Sequence, residues 1–170
     1  MRPGGGKAKG ASYEREVCVM LSSWITRGLR SDIFWRSAMS GGRSTVAFKK
    51  GKALASQVGD ISCVDPIGNR FTSRFAAECK FVADLQYTGL LTGKGKLIEF
   101  WTEINMQAAR YGKLPFLVAK QNRMPTRIFV DYTGMVALDI SQQETTLISI
   151  PHNMYIFDAE RFVSVCKPYR

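Results

Sequence analysis

The sequence is short of the residues on which several kinds of site depend. It has one histidine, His152, in 170 residues, and its four cysteines, Cys18, Cys63, Cys79 and Cys166, form no C-x-x-C pair. A structural zinc site or a disulfide framework is disfavoured on those grounds, and the thiols read as core residues of a protein in a reducing compartment. A Ser-His-Asp or Cys-His mechanism has only His152 to draw on, and that residue sits in an apolar segment where a structural role fits better. No apolar run approaches the length of a membrane span, and the N-terminus lacks the apolar stretch of a secretory signal, so a soluble, intracellular protein is expected. No internal repeat is present. Acidic residues are also scarce: 14 stand against 24 Lys and Arg, a formal charge of +10 with a pI near 9.7. Such an excess points to a polyanion, and nucleic acid is favoured over an anionic membrane because no basic amphipathic helix with a large apolar face is present.

What is present, 45% hydrophobic residues over 170 positions, suits one globular domain with a real core. Residues 1–10, rich in Gly and Lys, read as a flexible basic arm. Ser12 is a reasonable N-cap for a first helix running to about Arg27, with Val17, Met20, Leu21, Trp24 and Ile25 at helical spacing and Gly28 as its stop. Glu14 falls at the edge of that buried stripe, where it can either complement the helix dipole or reach the end of a sheet. Ile33 to Arg36 reads as a strand, and Ser37 to Gln57 as a basic loop carrying Arg43, Lys49, Lys50 and Lys52. Trp35 and Trp101 read as core residues, with a dimer patch as the alternative.

The stretch from Gly59 to Phe81 organises the rest. Val58 to Val64 and Phe75 to Phe81 are short, apolar and β-branched or aromatic, and Asp65-Pro66-Ile67-Gly68-Asn69 between them reads as the connection of an antiparallel hairpin. Alternation along a strand puts Glu78 and Lys80 on one face and Cys79 on the other, and a register pairing Val64 with Arg74 sets Asp60 opposite Glu78. Two carboxylates so close repel unless a cation lies between them, and hard oxygen donors suit Mg²⁺ or Mn²⁺. The same residues also fit a strand-end aspartate beside an ordinary surface ion pair.

Asp84 to Lys96 reads as a second loop, whose Gly89 to Lys94 segment has the wrong spacing for a phosphate-cradling P-loop but whose Lys94 and Lys96 suit a phosphate backbone. Leu97 to Tyr111 marks a second amphipathic helix closed by Gly112. Pro115 to Ala119 suits a central strand with Arg127 to Val130 beside it, and Met135 to Ile140, Thr146 to Ile150 and Met154 to Phe157 look like short strands before a last helix capped by Asp158.

With a helix-1 acid, a basic strand end, Asp60 and Glu78-x-Lys80 in that order, the chain resembles the PD-(D/E)xK nuclease superfamily, and more narrowly the archaeal-type Holliday junction resolvases. Lys9-Gly10-Ala11-Ser12-Tyr13-Glu14-Arg15-Glu16 is similar to their KGxxxERE start, Trp35-Arg36-Ser37-Ala38 to their second motif, Glu78-Cys79-Lys80 to their ExK, and Leu97 to Phe100 and Leu114 to Lys120 to their last helix and strand. Gly59 stands where the superfamily name has proline, the loop before Asp60 is longer, and residues 131–170 have no counterpart in the resemblance, which covers roughly residues 9–130.

The resemblance implies an α/β, restriction-endonuclease-like αβββαβ core with a central mixed sheet flanked by helices, in residues 11–130, and a β-rich C-terminal extension of the same domain in residues 131–170. It implies a catalytic set of Glu14, Asp60, Glu78 and Lys80. Asp60, Glu78, the backbone carbonyl of Cys79 and Glu14 become ligands for Mg²⁺ or Mn²⁺, and Lys80 orients the nucleophilic water. Lys7, Lys9, Arg36, Arg43, Lys49, Lys50, Lys52, Lys94 and Lys96 would grip DNA, with Arg36 near the scissile phosphate. A four-way junction and a homodimer cutting it in recombination or repair are the partners it implies. A general or other structure-selective nuclease, or a non-catalytic nucleic-acid-binding module, remains open.

Overall fold

The computed structural model describes residues 5–37 and 58–169. Helix α1, Gly5–Thr26, buries Tyr13, Val17, Leu21, Trp24 and Ile25 at helical spacing. It begins before the expected cap at Ser12 and takes in the second half of the basic arm. Ser12 instead donates to Glu16 Oε1, 3.5 Å away within the helix. Tertiary contacts hold the added turns: Lys9 Nζ lies 3.7 Å from the centroid of the Phe81 ring and donates to Asn122 Oδ1 at 2.7 Å. The helix ends where Arg27 and Gly28 turn left-handed (φ 55° and 84°) and Gly28 N donates to Ser23 O.

Strand β1, Phe34–Arg36, pairs antiparallel with β2, Ile61–Cys63, as a separate two-stranded ribbon. The hairpin expected between residues 58–64 and 75–81 is not formed. Asp65 caps a 3-10 turn, Pro66–Gly68, by accepting from Ile67 N, and that turn runs into α2, Asn69–Arg74, before β3, Phe75–Val82, begins. The reason is Phe71. A tight turn would leave it in solvent, whereas the helix buries it among Trp24, Phe34, Phe75 and Phe116, with ring centroids 5.1 to 5.9 Å away. The chain before β2 consequently runs parallel to β3, and the two meet at a single bridge, Gly59 with Ala77. Gly59 has φ 92°, and a Cβ there would lie 2.3 Å from Ala77 O. Proline, locked near φ −65°, cannot adopt this backbone, so the glycine in the motif's first position is a requirement of the local geometry.

Eight further α-helices and β-strands follow among the described residues: α3, Gly89–Thr92; α4, Lys96–Arg110; β4, Leu114–Gln121; β5, Arg127–Val130; α5, Tyr132–Ala137; β6, Leu147–Ser149; β7, Met154–Asp158; and α6, Ala159–Val165. The main sheet has the order β3-β4-β5-β7-β6, with β3 and β4 parallel and the other pairs antiparallel. Both its faces are packed. Ala77, Cys79, Phe116, Val118, Ile128 and Val130 meet α1, α2 and α6, while Ala76, Leu117, Ala119, Phe129 and Ile156 meet Leu97, Trp101, Ile104 and Ala108 of α4. This is the expected α/β class, a mixed sheet between helices.

The segment expected as a strand over Met135 to Ile140 is instead the last turn of α5 and the turn that follows it, because Asp131 accepts from Gly134 N at 2.6 Å and caps that helix. The C-terminal part is woven into the core. Strand β7 lies between β5 and β6, and the indoles of Trp24 and Trp101 donate to Cys166 O and His152 O at 3.0 and 2.9 Å.

Candidate active site

Strand β3 is the platform. Its alternation sends Ala77 and Cys79 toward α1 and Ala76 toward α4, the side on which Lys80 Nζ comes within 5.2 Å of the Phe100 ring centroid. Lys80 Nζ donates to Glu78 Oε1 at 2.8 Å. Beyond the bridge at Gly59 the chain leaves β3. Asp60 N still donates to Ala77 O at 2.8 Å, but the next outward-facing donor, Cys79 N, finds no backbone acceptor on the departing strand, and Asp60 Oδ2 accepts from it at 2.9 Å. The aspartate thus occupies the gap where the two strands part, which satisfies a buried N–H and fixes the carboxylate beside Glu78. The expected proximity of Asp60 to Glu78 is therefore present, although a parallel bridge and a side-chain hydrogen bond create it.

Glu14 arrives from the other face of the sheet. It lies four residues before buried Cys18 on α1, and Arg36 Nε donates to its Oε2 at 2.5 Å. The position of Arg36 depends on a residue that sequence reasoning missed. Ser22 Oγ, fully buried, donates to Cys18 O at 2.7 Å and accepts from Ile33 N and Phe34 N at 3.1 and 2.9 Å, clamping the start of β1 to α1. A serine inside the buried stripe of a helix was the available signal.

The electrostatics are those of a crowded acid. Burial, with Asp60 only 6% exposed, pushes its carboxyl up to about 7; the Glu78 charge adds to the rise, the Cys79 N–H opposes it, Glu14 adds a little, and Lys80 opposes. Burial alone would lower Lys80, but the charge of Glu78, the hydrogen bond to it and the charges of Asp60 and Glu103 outweigh that and raise it, so the ammonium stays protonated. Burial, then the Glu14 charge, pushes Cys18 up to about 12, and burial lifts Cys79 well above an ordinary thiol. Neither thiol is a nucleophile at neutral pH. Among the described residues, no three His, Cys, Asp or Glu side chains gather as a metal site, so a cation held here needs backbone or water oxygens as well.

The basic residues scatter. Arg36 is engaged with Glu14, Lys9 with Asn122, and Lys94 and Lys96 are exposed around the start of α4. The Lys7 side chain, Arg43, Lys49, Lys50 and Lys52 lie outside the described residues. Lys120, which had no assigned role, places its Nζ 5.5 Å from the Phe81 ring centroid, on the ring that Lys9 also covers. Trp101 is buried as expected, but Trp35 is 61% exposed.

The family described as "Phage putative PDDEXK endonuclease" matches residues 5–166. The chain belongs to this family. No curated protein and no solved structure matches it. Membership makes the chain a nuclease of the PD-(D/E)xK superfamily and identifies the mixed sheet between helices as the restriction-endonuclease-like fold. The match runs well past residue 130, so most of the C-terminal part, set apart in the sequence resemblance, lies within the family's span. No helix among the described residues is long and apolar enough to cross a membrane.

Proposed function

We propose that this PDDEXK nuclease is a divalent-metal-dependent endodeoxyribonuclease that acts on branched DNA, with four-way junctions as the preferred class and a homodimer as the working unit. The observation that carries the reading is Asp60, buried and fixed on the Cys79 N–H beside Glu78-x-Lys80. A structural aspartate gains nothing from a site that lifts its carboxyl toward 7, whereas a cation shared with Glu78 removes the repulsion.

The donor set fits a hard cation: the carboxylates of Asp60 and Glu78 and the backbone carbonyl of Cys79 would hold Mg²⁺ or Mn²⁺, with Glu14 completing the shell through water or helping with a second ion. When bound, the metal supplies Lewis-acid polarisation of the phosphodiester and lowers the pKa of water. Lys80, kept protonated by its acidic neighbours, donates hydrogen bonds to the incoming water and to the phosphoryl oxygens and offsets the charge that builds in the transition state. Arg36 holds Glu14 in position and adds positive charge at the edge of the site. Lys9, Lys94 and Lys96, with Lys7, Arg43, Lys49, Lys50 and Lys52, contribute phosphate contacts that carry affinity and no base sequence.

A junction has approximate two-fold symmetry and needs paired cuts, which an isologous dimer with two such sites supplies. The test is cleavage of labelled four-way junction, flap, duplex and single-stranded DNA in Mg²⁺, with light scattering on the same sample. Symmetric nicks near the branch by a dimer support the reading. A monomer that cuts plain duplex as fast as the junction retains the nuclease and removes the junction specificity.

A further inference from the structure

We propose that Trp35 is a stacking platform, at the edge of the active site, for a nucleobase that is unpaired or opens at a branch point, so that the enzyme prefers branched DNA with such a base next to the cut over continuous duplex. This rests on the reading of the Asp60–Glu78–Lys80 site as the place of DNA cleavage.

Three observations support it. Trp35 is 61% exposed, while Trp24 and Trp101, the other two tryptophans, are 2% and 5% exposed and have their indole N–H groups bonded to backbone carbonyls. Its place on β1 is fixed: it pairs with Ser62 while its neighbours Phe34 and Arg36 turn inward, the first into the core and the second to Glu14. The indole is therefore the large group that this strand offers to solvent. The third observation is distance. The ladder continues past the strand ends, with Ser37 N donating to Asp60 O at 2.7 Å, so Trp35 lies two residues along and one strand across from Asp60. At about 3.3 Å per residue and about 5 Å between strands, the two backbone positions are roughly 8 Å apart. That is the span of two or three stacked nucleotides at about 3.4 Å each.

The chemistry follows from what DNA presents at that distance. A fully paired duplex turns its sugar-phosphate backbone outward and keeps its base faces inside the stack, so an indole beside it meets no π surface. An unpaired nucleotide next to the scissile phosphate can swing its base onto the ring. Aromatic side chains that stack on bases are sequence-tolerant, because every base has a π face, and they are worth much more against unpaired than paired nucleotides. Arg36, committed to Glu14, leaves the outer side of β1 to the indole. The net charge of +10 brings the polyanion to the surface without distinguishing its structure, and Trp35 supplies that distinction.

The experiment uses the full chain, Trp35→Ala and Trp35→Phe, each with its circular dichroism spectrum compared with wild type. Equilibrium binding in Ca²⁺ is measured on a forked DNA with unpaired arms, on the same fork with abasic nucleotides in those arms, and on the fully paired duplex. Trp35→Ala is expected to weaken fork binding about ten-fold or more, Trp35→Phe to retain most of it, and duplex binding to stay within about two-fold for both. The abasic fork should bind wild type as weakly as the normal fork binds Trp35→Ala. With the other tryptophans buried, acrylamide quenching of intrinsic fluorescence reports Trp35 directly: fork should protect it and duplex should not.

Equal losses on fork and duplex, or no loss on either, overturn the stacking site. Quenching that falls with protein concentration in the absence of DNA also overturns it, because the ring then belongs to an interface between copies. Cleavage that persists with the fork preference unchanged in Trp35→Ala removes this inference alone, whereas a wild type that binds neither DNA removes the nuclease reading with it.

Discussion

Replacing Asp60 by asparagine should make the metal-free protein more stable at neutral and alkaline pH. The carboxyl is raised from the ordinary 3.8 to about 7 by burial and then by Glu78. Below about pH 4 the group is protonated in the folded and unfolded chains alike and contributes no penalty. As pH rises from about 4 to about 7 the unfolded chain gives up its proton while the folded one keeps it, and stability falls; above about 7 the penalty is complete. The gap corresponds to about 4 kcal/mol at 1.36 kcal/mol per pH unit, and because Glu78 shares the interaction, about half, or 2 kcal/mol, is assigned to Asp60. Asparagine keeps an oxygen for the Cys79 N–H and carries no charge. Urea unfolding in chelator should therefore show Asp60→Asn about 2 kcal/mol more stable at pH 8, a rise of roughly 4 to 8 °C in Tm for a chain of this size, and equal to wild type near pH 4. Adding Mg²⁺ or Mn²⁺ should stabilise wild type and not the variant. A variant equal to or less stable than wild type at pH 8 in chelator would refute the argument, since the site would then hold no unrelieved charge.

Other outcomes follow from the same structure. Ser22→Ala strands the N–H groups of Ile33 and Phe34 and should cost about 2 to 5 kcal/mol by chemical denaturation. Gly59→Ala forces a side chain into φ 92° and against the Ala77 backbone, and should cost at least about 2 kcal/mol and reduce activity through Asp60, read by unfolding and nicking assays together. Lys80→Ala and Glu78→Ala should abolish cleavage and leave DNA affinity within a few-fold, as measured by binding in Ca²⁺. Arg36→Ala should lower the cleavage rate more than DNA affinity, because the guanidinium is spent on Glu14; an affinity loss alone would make it a phosphate contact only.

The sequence made the chemistry more legible than the backbone that supports it. Glu78-x-Lys80 lies on a strand, and alternation alone put both side chains on one face. The buried stripe of α1 was readable from Val17 to Ile25 and carried Glu14 with it. The expected hairpin failed because Pro66, Gly68 and Asn69 are turn formers by local propensity, while burying Phe71 in an aromatic cluster favours a helix there. Tertiary packing overrode the local signal, and β2 paired with β1. The α5 segment was misread for a related reason: Met135, Leu138 and Ile140 are apolar enough for a strand, and the cap at Asp131 that starts the helix lies outside the apolar run. Trp35 could not be placed from sequence, since its exposure depends on which face of a three-residue strand meets α1.

The measurement that tests the central claim most directly is the nicking rate of Asp60→Ala against wild type on one labelled branched DNA, in Mg²⁺ and in excess chelator, with binding measured in parallel in Ca²⁺. A metal-dependent site built on Asp60 predicts cleavage by wild type in Mg²⁺, none in chelator, none by Asp60→Ala, and affinities that agree within a few-fold. Cleavage by Asp60→Ala at the wild-type rate, or by wild type in verified metal-free buffer, would contradict it.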